Sequence, residues 1–146
     1  MTASTLIASL CWAAGFVDGE GCIHLARVQR TCGNRINYRL RLTVTQNCPV
    51  TLEHLRGLLG ATGYLTKLRR KLQHNKQIYN LTYDGRNAHH VIAMLAPHLV
   101  RKRLEAQIAL DFYAHGQPGL HPGPKGTPKE LWDFRRRCYD KLRKLK

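Results

Sequence analysis

The sequence predicts an α+β fold in which helices cover one face of a four-stranded antiparallel sheet and leave the other face bare. Three observations predict it. The elements follow the order α-β-β-α-β-β-α, with further helices behind them. The β-β-α unit occurs twice, which favours one sheet over two separate layers. One strand alternates apolar and polar residues along its whole length, as a half-buried strand does.

The first half of the chain predicts one helix and one hairpin. Ser4 or Thr5 can cap a helix that runs to about Val17. Strand-like runs follow at residues 22–30 and 35–46, and the Gly-Asn pair between them is a hairpin signal. On the second run, the apolar face consists of Ile36, Tyr38, Leu40, Leu42 and Val44. The opposite, polar and basic face consists of Arg35, Asn37, Arg39, Arg41, Thr43 and Thr45.

The second half repeats this arrangement. The pattern predicts a helix at 49–60, strands at 64–72 and 77–83, and helices at 84–95 and 97–113. Pro49 and Pro97 are suited to first helical turns, Gly60 to a helix end, and Asp84 to an N-cap. On the third strand, Lys67, Arg69 and Lys71 share one face, although a slip of one residue would move them to the other.

The C-terminal part predicts a loop and a basic helix. Residues 116–126 are rich in Pro and Gly and are expected to form a surface loop. Thr127 and Glu130 form a capping box with Pro128 in the first turn, so a helix is expected over 127–146. We expect a single domain, 1–146, whose core is 1–115.

The charge of the chain indicates a polyanionic partner. Lys and Arg number 24 against 9 Asp and Glu, which gives a formal charge of +15. A hydrophobic content of 43% in 146 residues is enough for one compact core. A solvated surface or a ribosomal protein with basic extensions would also be basic. Here, however, the basic residues are interleaved with apolar ones throughout, which favours a folded nucleic-acid-binding protein.

Several other classes are disfavoured. The five cysteines, at positions 11, 22, 32, 48 and 138, are odd in number and form no C-x-x-C pair. A disulfide framework or zinc site is therefore not expected, and an intracellular, reducing compartment is. The apolar run 6–17 lacks a basic region before it and is too short to span a bilayer, so neither a signal peptide nor membrane binding is expected.

The most informative segment is residues 12–21, Trp-Ala-Ala-Gly-Phe-Val-Asp-Gly-Glu-Gly. A helix of small apolar residues leads directly into two acids, Asp18 and Glu20, although acids are unfavourable at a helix C-terminus. A solvated helix end is the alternative interpretation. The segment resembles the signature of the LAGLIDADG homing endonucleases, which are DNA-cutting enzymes. The element order resembles that family up to about Tyr113.

The resemblance implies a homodimer bound to double-stranded DNA. In the family, signature helices pack against each other through small residues, which are Ala13, Ala14 and Gly15 here. A chain with one signature, as here, must dimerise. A two-fold protein is expected to recognise a long, nearly palindromic site.

The resemblance also assigns the metal ligands. Glu20 matches the acidic ligand of the signature, and the carbonyl of Gly19 is the expected neighbour. Phosphodiester hydrolysis requires charge neutralisation, for which carboxylates recruit Mg²⁺. Two Glu20 side chains would meet at the dimer axis. Asp18 is expected to have a structural or capping role.

Around the metal, family members place a Gln, an Arg and a Lys. Gln46 matches the Gln that positions water, and Lys102 matches the Lys that stabilises the transition state. Lys102 could alternatively be one charge in a basic cluster. The position at which the Arg is expected holds Val50. Either another cation substitutes for it, or turnover is slow, or the periphery of the active site differs.

The polar strand face is expected to contact DNA, since Arg suits guanine and Asn suits adenine. The candidates are His24, Arg30, Asn37, Arg39, Arg41, Thr43, Lys67, Arg69 and Lys71.

We therefore expect a site-specific, Mg²⁺-dependent DNA endonuclease, encoded by an intron and without a small-molecule substrate. The first alternative is an intron RNA maturase or regulator on the same scaffold that has lost cleavage, which Val50 keeps open. The second is a non-catalytic ribosome or chromatin component, which would leave Glu20 unexplained.

Overall fold

The computed structural model describes residues 2–29, 36–120 and 123–146. Its elements are α1 (Ala3–Glu20), β1 (Gly21–Gln29), β2 (Ile36–Gln46), α2 (Pro49–Leu59), β3 (Tyr64–Lys67), β4 (Tyr79–Asp84), α3 (Gly85–Leu95), a 3₁₀ turn (Ala96–His98), α4 (Arg103–Gly116) and α5 (Lys129–Lys144). Their order is the predicted one. The predicted hairpin turn between β1 and β2 lies outside the described residues.

The four strands form one antiparallel sheet in the order β1-β2-β4-β3. The predicted alternation on β2 is confirmed, because Tyr38, Leu40, Leu42 and Val44 are buried while the residues between them are exposed or half-buried. Helices cover the buried face, so the predicted α+β architecture is confirmed.

The core lies between the sheet and the helices. Its strand side chains include Ile23, Leu25, Leu81 and Tyr83, all at most 3% exposed. The helices contribute Ala13, Ala14, Val17, Leu52, Leu55, Leu59, Ala88, Val91, Ile92, Leu95, Ala106, Ala109, Phe112, Cys138 and Leu142. Helix α5 closes this core over the first hairpin, where the rings of Tyr38 and Tyr139 lie 5.2 Å apart.

Helix α1 is longer at both ends than predicted. Its N-cap is Thr2, whose Oγ1 accepts the backbone N–H of Thr5 at 3.2 Å, and not Ser4 or Thr5. It runs to Glu20 instead of ending near Val17. A Cβ at Gly21 would lie 2.6 Å from the carbonyl oxygen of Val17. Glycine at this position therefore lets β1 begin directly after Glu20 and fixes where the acidic end of α1 lies.

Strand β3 is shorter than predicted. It ends at Lys67, and the chain beyond it is irregular until β4 begins at Tyr79. β3 pairs with β4 alone at the edge of the sheet. The residues after Lys67 are exposed, so pairing with β4 would bury no apolar side chain there. Strand propensity alone therefore does not extend the β3–β4 ladder beyond Lys67.

Two predicted helix starts and one predicted side-chain cap differ. The predicted 97–113 helix is broken after His98, and α4 begins at Arg103 and continues to Gly116. Helix α5 begins at Lys129 with Pro128 as N-cap and without a side-chain cap, so the capping box is not formed. Asp84 is the N-cap residue of α3, but its side chain does not cap the helix. No helix among the described residues is long and apolar enough to cross a membrane.

Candidate active site and nucleic-acid interface

The acidic end of α1 presents oxygen atoms suited to a hard divalent cation. Glu20 is exposed, and its carboxylate has no hydrogen bond or ion pair with the described part of the chain. The carbonyl of Gly19 lies in the last helical turn, beyond the reach of intrahelical N–H donors. These donors fit Mg²⁺. Among the described residues, no cluster of three or more His, Cys, Asp or Glu side chains could hold a metal ion.

Asp18 anchors this end of α1 to the turn before α4. Its carboxylate accepts the backbone N–H groups of Val100 at 2.8 Å, Arg101 at 3.2 Å and Lys102 at 2.9 Å. Partial burial acts to raise the pKa of this carboxyl, but the three N–H groups outweigh it and hold the pKa below its ordinary value. This contact lies where the predicted 97–113 helix is interrupted.

Lys102 lies against the same helix end. Its side chain is 6% exposed, and Nζ donates to the carbonyl oxygen of Asp18 at 2.5 Å. Burial, and then the neighbouring charge of Arg101, lower the pKa of Lys102. The structure therefore places the predicted catalytic lysine beside the residues that precede Gly19 and Glu20.

Arg101 is a second cation at this place, and it is not among the site residues that the sequence predicts. Its Nη1 donates to the same Asp18 carbonyl at 3.2 Å, yet the residue is exposed. Val50, where the resemblance implies an arginine, is 75% exposed. The run Arg101-Lys102-Arg103 was the only sequence signal, and nothing in it distinguishes which cation reaches the end of α1.

Gln46 ends β2 next to the same helix end. Val44, two residues before Gln46, pairs with Gly21, the first residue after α1. Its Oε1 accepts the backbone N–H of Asn47 at 2.8 Å, which leaves the amide Nε2 to donate elsewhere.

The face of the sheet away from the helices is polar. His24 pairs with Arg41, and Cys22 pairs with Thr43. Asn37 and Arg39 lie at every second position before Arg41 on β2, so their side chains are on the same face as Arg41. Five predicted residues thus lie on one surface, namely His24, Asn37, Arg39, Arg41 and Thr43. Arg41 is engaged there by Asp84, with Nε 2.6 Å from Oδ1.

The LAGLIDADG endonuclease family matches this chain over residues 13–115, which is well over half of its length. The chain belongs to the LAGLIDADG endonuclease family. Its class is therefore that of the DNA endonucleases, as the signature predicted.

Solved structures of homing endonucleases share its fold. I-CvuI, in complex with the I-CreI target in the presence of Mg, is 24% identical with a TM-score of 0.64, and the match covers 94% of this chain and 96% of that one. The archaeal intron-encoded I-Vdi141I, complexed with DNA, is 16% identical with a TM-score of 0.73, covering 96% and 85%. The group I intron-encoded I-CeuI, complexed with DNA, is 17% identical with a TM-score of 0.64, covering 94% and 67%. No curated protein matches the chain closely.

Within the LAGLIDADG signature, the predicted interface residues are partly wrong. Ala13 and Ala14 are fully buried in the core of their own chain and cannot contact a second copy. Gly15 is exposed, and so is Gly19 one turn later. A Cβ added at either glycine would meet nothing within 4 Å. The small residues are thus divided, because the alanines lie in the core and the glycine is exposed.

The predicted basic face of β3 is also wrong. Lys67 pairs with Tyr79 and has the parity of Leu65, which pairs with the buried Leu81. Lys67 therefore does not share the polar face, and Arg69 and Lys71 follow the end of the strand. A register shifted by one residue explains the error. Arg30 lies outside the described residues, so its predicted place on β1 stays untested.

The basic helix α5 contains one arginine with a structural role. Arg135 is 5% exposed and donates through Nε to the carbonyl of Gly116 at 2.6 Å and through Nη2 to that of Gln117 at 2.7 Å. It therefore satisfies carbonyl groups at the end of α4. The other basic residues of α5 are exposed.

Cys22 carries an unusual thiol on the polar face. Its Sγ lies 3.7 Å from Nδ1 of His24 and accepts from Nζ of Lys146 at 3.1 Å. The hydrogen bond to His24, with further support from Lys146, lowers the pKa of this thiol to about 7. No disulfide forms among the cysteines in the described ranges.

Proposed function

We propose that this chain is a site-specific, Mg²⁺-dependent endonuclease that acts as a homodimer and cuts both strands of a long, nearly palindromic duplex. The carboxylate of Glu20 supports this function most directly. It stands exposed at the end of the family's signature helix, and it has no hydrogen bond or ion pair with any residue that the structure describes.

The second copy is expected to pack along the exposed side of α1. Gly15 and Gly19 are spaced by four residues, so they share one helix face, and their lack of side chains allows a close approach of two backbones. Trp12, which is 41% exposed, lies one turn before Gly15. Packing of two such helices would bring two Glu20 carboxylates together and complete a site that one chain leaves incomplete.

Glu20 and the carbonyl of Gly19 would hold the metal ion. Phosphodiester hydrolysis develops negative charge on the attacking and leaving oxygens, and a bound Mg²⁺ supplies the neutralising charge. Asp18 would not be a ligand, because its carboxylate is already occupied by three backbone N–H groups.

Three further side chains would support the reaction at Glu20. The amide Nε2 of Gln46 can hydrogen-bond and orient the attacking water. Lys102 uses one donor on the Asp18 carbonyl and keeps its charge next to the site, where it stabilises the transition state. Arg101, exposed beside it, supplies the cation that Val50 does not.

The polar face of the sheet would form the saddle on which DNA lies. Strands can enter the major groove and place side chains against base edges. His24, Asn37, Arg39, Arg41 and Thr43 are positioned for this, and the excess of basic residues elsewhere attracts phosphates. Binding is expected to weaken steeply as salt rises.

A maturase or regulator without cleavage activity is the second candidate, and Val50 is the observation that favours it. Such a protein would bind nucleic acid tightly but would not cut it in Mg²⁺, and a maturase would prefer RNA.

A library of long random duplexes, incubated with the purified protein with and without Mg²⁺ and sequenced at the cut ends, tests the proposal. Cuts within one nearly palindromic site, only in Mg²⁺, are expected. Retention of specific duplexes without any cut would contradict the endonuclease and support the second candidate.

A further inference from the structure

On the polar face of the sheet, three side chains form a hydrogen-bonded cluster across three strands. Arg41 of β2 donates through Nε to Oδ1 of Asp84 at 2.6 Å and through Nη2 to Oδ2 at 3.3 Å. Tyr64 of β3 donates its hydroxyl to Oδ2 of Asp84 at 2.8 Å. Arg41 and Asp84 are direct cross-strand partners, so the ladder itself holds the cluster together.

The position of Asp84 is unfavourable for simple phosphate binding. The chain has only 9 acidic residues, yet one of them stands on the face proposed to meet DNA, where it repels phosphates. Asp84 is also the N-cap residue of α3, but its carboxylate faces Arg41 and does not cap the helix. Both features indicate that Asp84 has a role other than raising the overall affinity of this face for DNA.

The contact leaves one edge of the Arg41 guanidinium for a ligand. A guanidinium has five N–H donors in a planar fork. Asp84 takes the edge formed by Nε and Nη2, and the donors of Nη1 with the second N–H of Nη2 form the other edge. Two parallel donors match O6 and N7 of guanine in the major groove.

The charge states suit this arrangement. Partial burial acts to raise the pKa of Asp84, but hydrogen bonds from Arg41 and Tyr64 keep it below its ordinary value, so the carboxylate is ionised. The hydrogen bond to Asp84 raises the pKa of Tyr64, so the phenol remains a donor. The carboxylate is thus fixed from both sides, and a fixed carboxylate orients the guanidinium.

We propose that Arg41 recognises a guanine in the DNA target and that Asp84, held by Tyr64, is the positioning residue that sets the orientation of the guanidinium. The inference rests on the proposed binding of duplex DNA by this face. In a homodimer, the guanine would occur at two symmetry-related positions of the target.

Selection of duplexes from a random library by binding, without divalent metal, measures base preference whether or not the chain cuts DNA. The variants are Arg41→Ala, Asp84→Asn and Tyr64→Phe. Asp111→Asn is the matched control, because it removes the same charge from α4 on the helix side of the sheet, where Asp111 accepts from Gln107. Thermal melting of each variant establishes that it folds.

Wild type and Asp111→Asn are expected to select guanine at one symmetric pair of positions. Arg41→Ala should lose that preference, and Asp84→Asn should weaken it roughly tenfold, the scale of one bidentate contact. Tyr64→Phe, the mildest change, should weaken it less, and preferences at other positions should stay. If Asp84→Asn does not fold, Tyr64→Phe alone carries the test.

A uniform rise in affinity for all sequences with Asp84→Asn, at unchanged guanine preference, would show only the loss of a repulsive charge and would overturn the proposal. The absence of an Arg41-dependent guanine preference in a wild-type chain that does select specific duplexes would overturn it too. Failure of wild type to retain any duplex would instead refute the proposed function.

Discussion

Asp18 and Lys102 hold each other through both backbone and side chain. The carboxylate of Asp18 accepts the backbone N–H of Lys102 at 2.9 Å, and Nζ of Lys102 donates to the carbonyl oxygen of Asp18 at 2.5 Å. They are 84 residues apart in the chain. This contact joins the acidic end of α1, which includes Glu20, to the cationic turn before α4.

Replacing Asp18 with alanine is expected to destabilise the fold. Three backbone N–H groups would lose a charged acceptor, and the free energy of unfolding should fall by about 1–3 kcal/mol. Urea denaturation measures this change, with Asp111→Ala as the control for removing an aspartate. An equal, small loss in both variants would show that the contact contributes little.

The pH dependence of stability should reflect the same carboxyl. The pKa of Asp18 is below its ordinary value of 3.8 in the folded chain, so its ionised form favours folding. Its contribution is complete above about pH 5 and is lost as pH falls below 3.8 through the folded pKa. The stability gap between wild type and Asp18→Asn should therefore be constant near neutral pH and narrow in acid. A stability difference between wild type and Asp18→Asn that grows as the pH falls would contradict a lowered pKa of Asp18.

A large side chain at Gly15 is expected to prevent dimerisation without unfolding the chain. Within one chain, a Cβ at Gly15 meets nothing within 4 Å, so Gly15→Leu should fold and sediment as a monomer. Gly57 in α2 is the matched control, since it is also helical and equally open. If Gly15→Leu remained a dimer, or if Gly57→Leu became a monomer, the result would contradict the proposed interface.

Arg101 should be needed for cleavage more than for binding. Arg101→Ala is expected to lower the cleavage rate by about 10²-fold, the scale of one lost transition-state contact, and to change DNA affinity only slightly. Arg103→Ala removes the same charge two residues later, at the exposed start of α4. Single-turnover cleavage rates and DNA affinities, measured for both variants, should show slower cleavage for Arg101→Ala than for Arg103→Ala. Equal cleavage rates for the two variants would exclude a role of Arg101 in the reaction.

The sequence predicted what local pattern determines. The polar face of β2 follows from alternation, and the acidic end of α1 follows from ten consecutive residues. The prediction that Lys67 lies on the polar face was wrong. The face on which Lys67 lies is determined by the pairing of β3 with β4, and the residues of β3 alone do not indicate that pairing. Arg41 lay on the predicted face, but its partner Asp84 comes from a strand 43 residues away.

The interface residues show the same limit. Ala13, Ala14 and Gly15 are all small, and size alone does not tell which of them are buried in the core of their own chain. The structure assigns the alanines to the core and leaves the glycine exposed. The break in the predicted 97–113 helix likewise lies at a contact with Asp18, which is 82 residues away from Val100 in the chain.

The most direct test of the central claim compares wild type with Glu20→Gln on the selected target, measuring binding and Mg²⁺-dependent strand cleavage side by side. The amide is a poor ligand for a hard cation, and Glu20 has no partner among the described residues that the change would disturb. The variant should therefore fold, dimerise and bind the target as wild type does, but should not cut it. Cleavage by Glu20→Gln at the wild-type rate would contradict the role of Glu20 as the metal ligand.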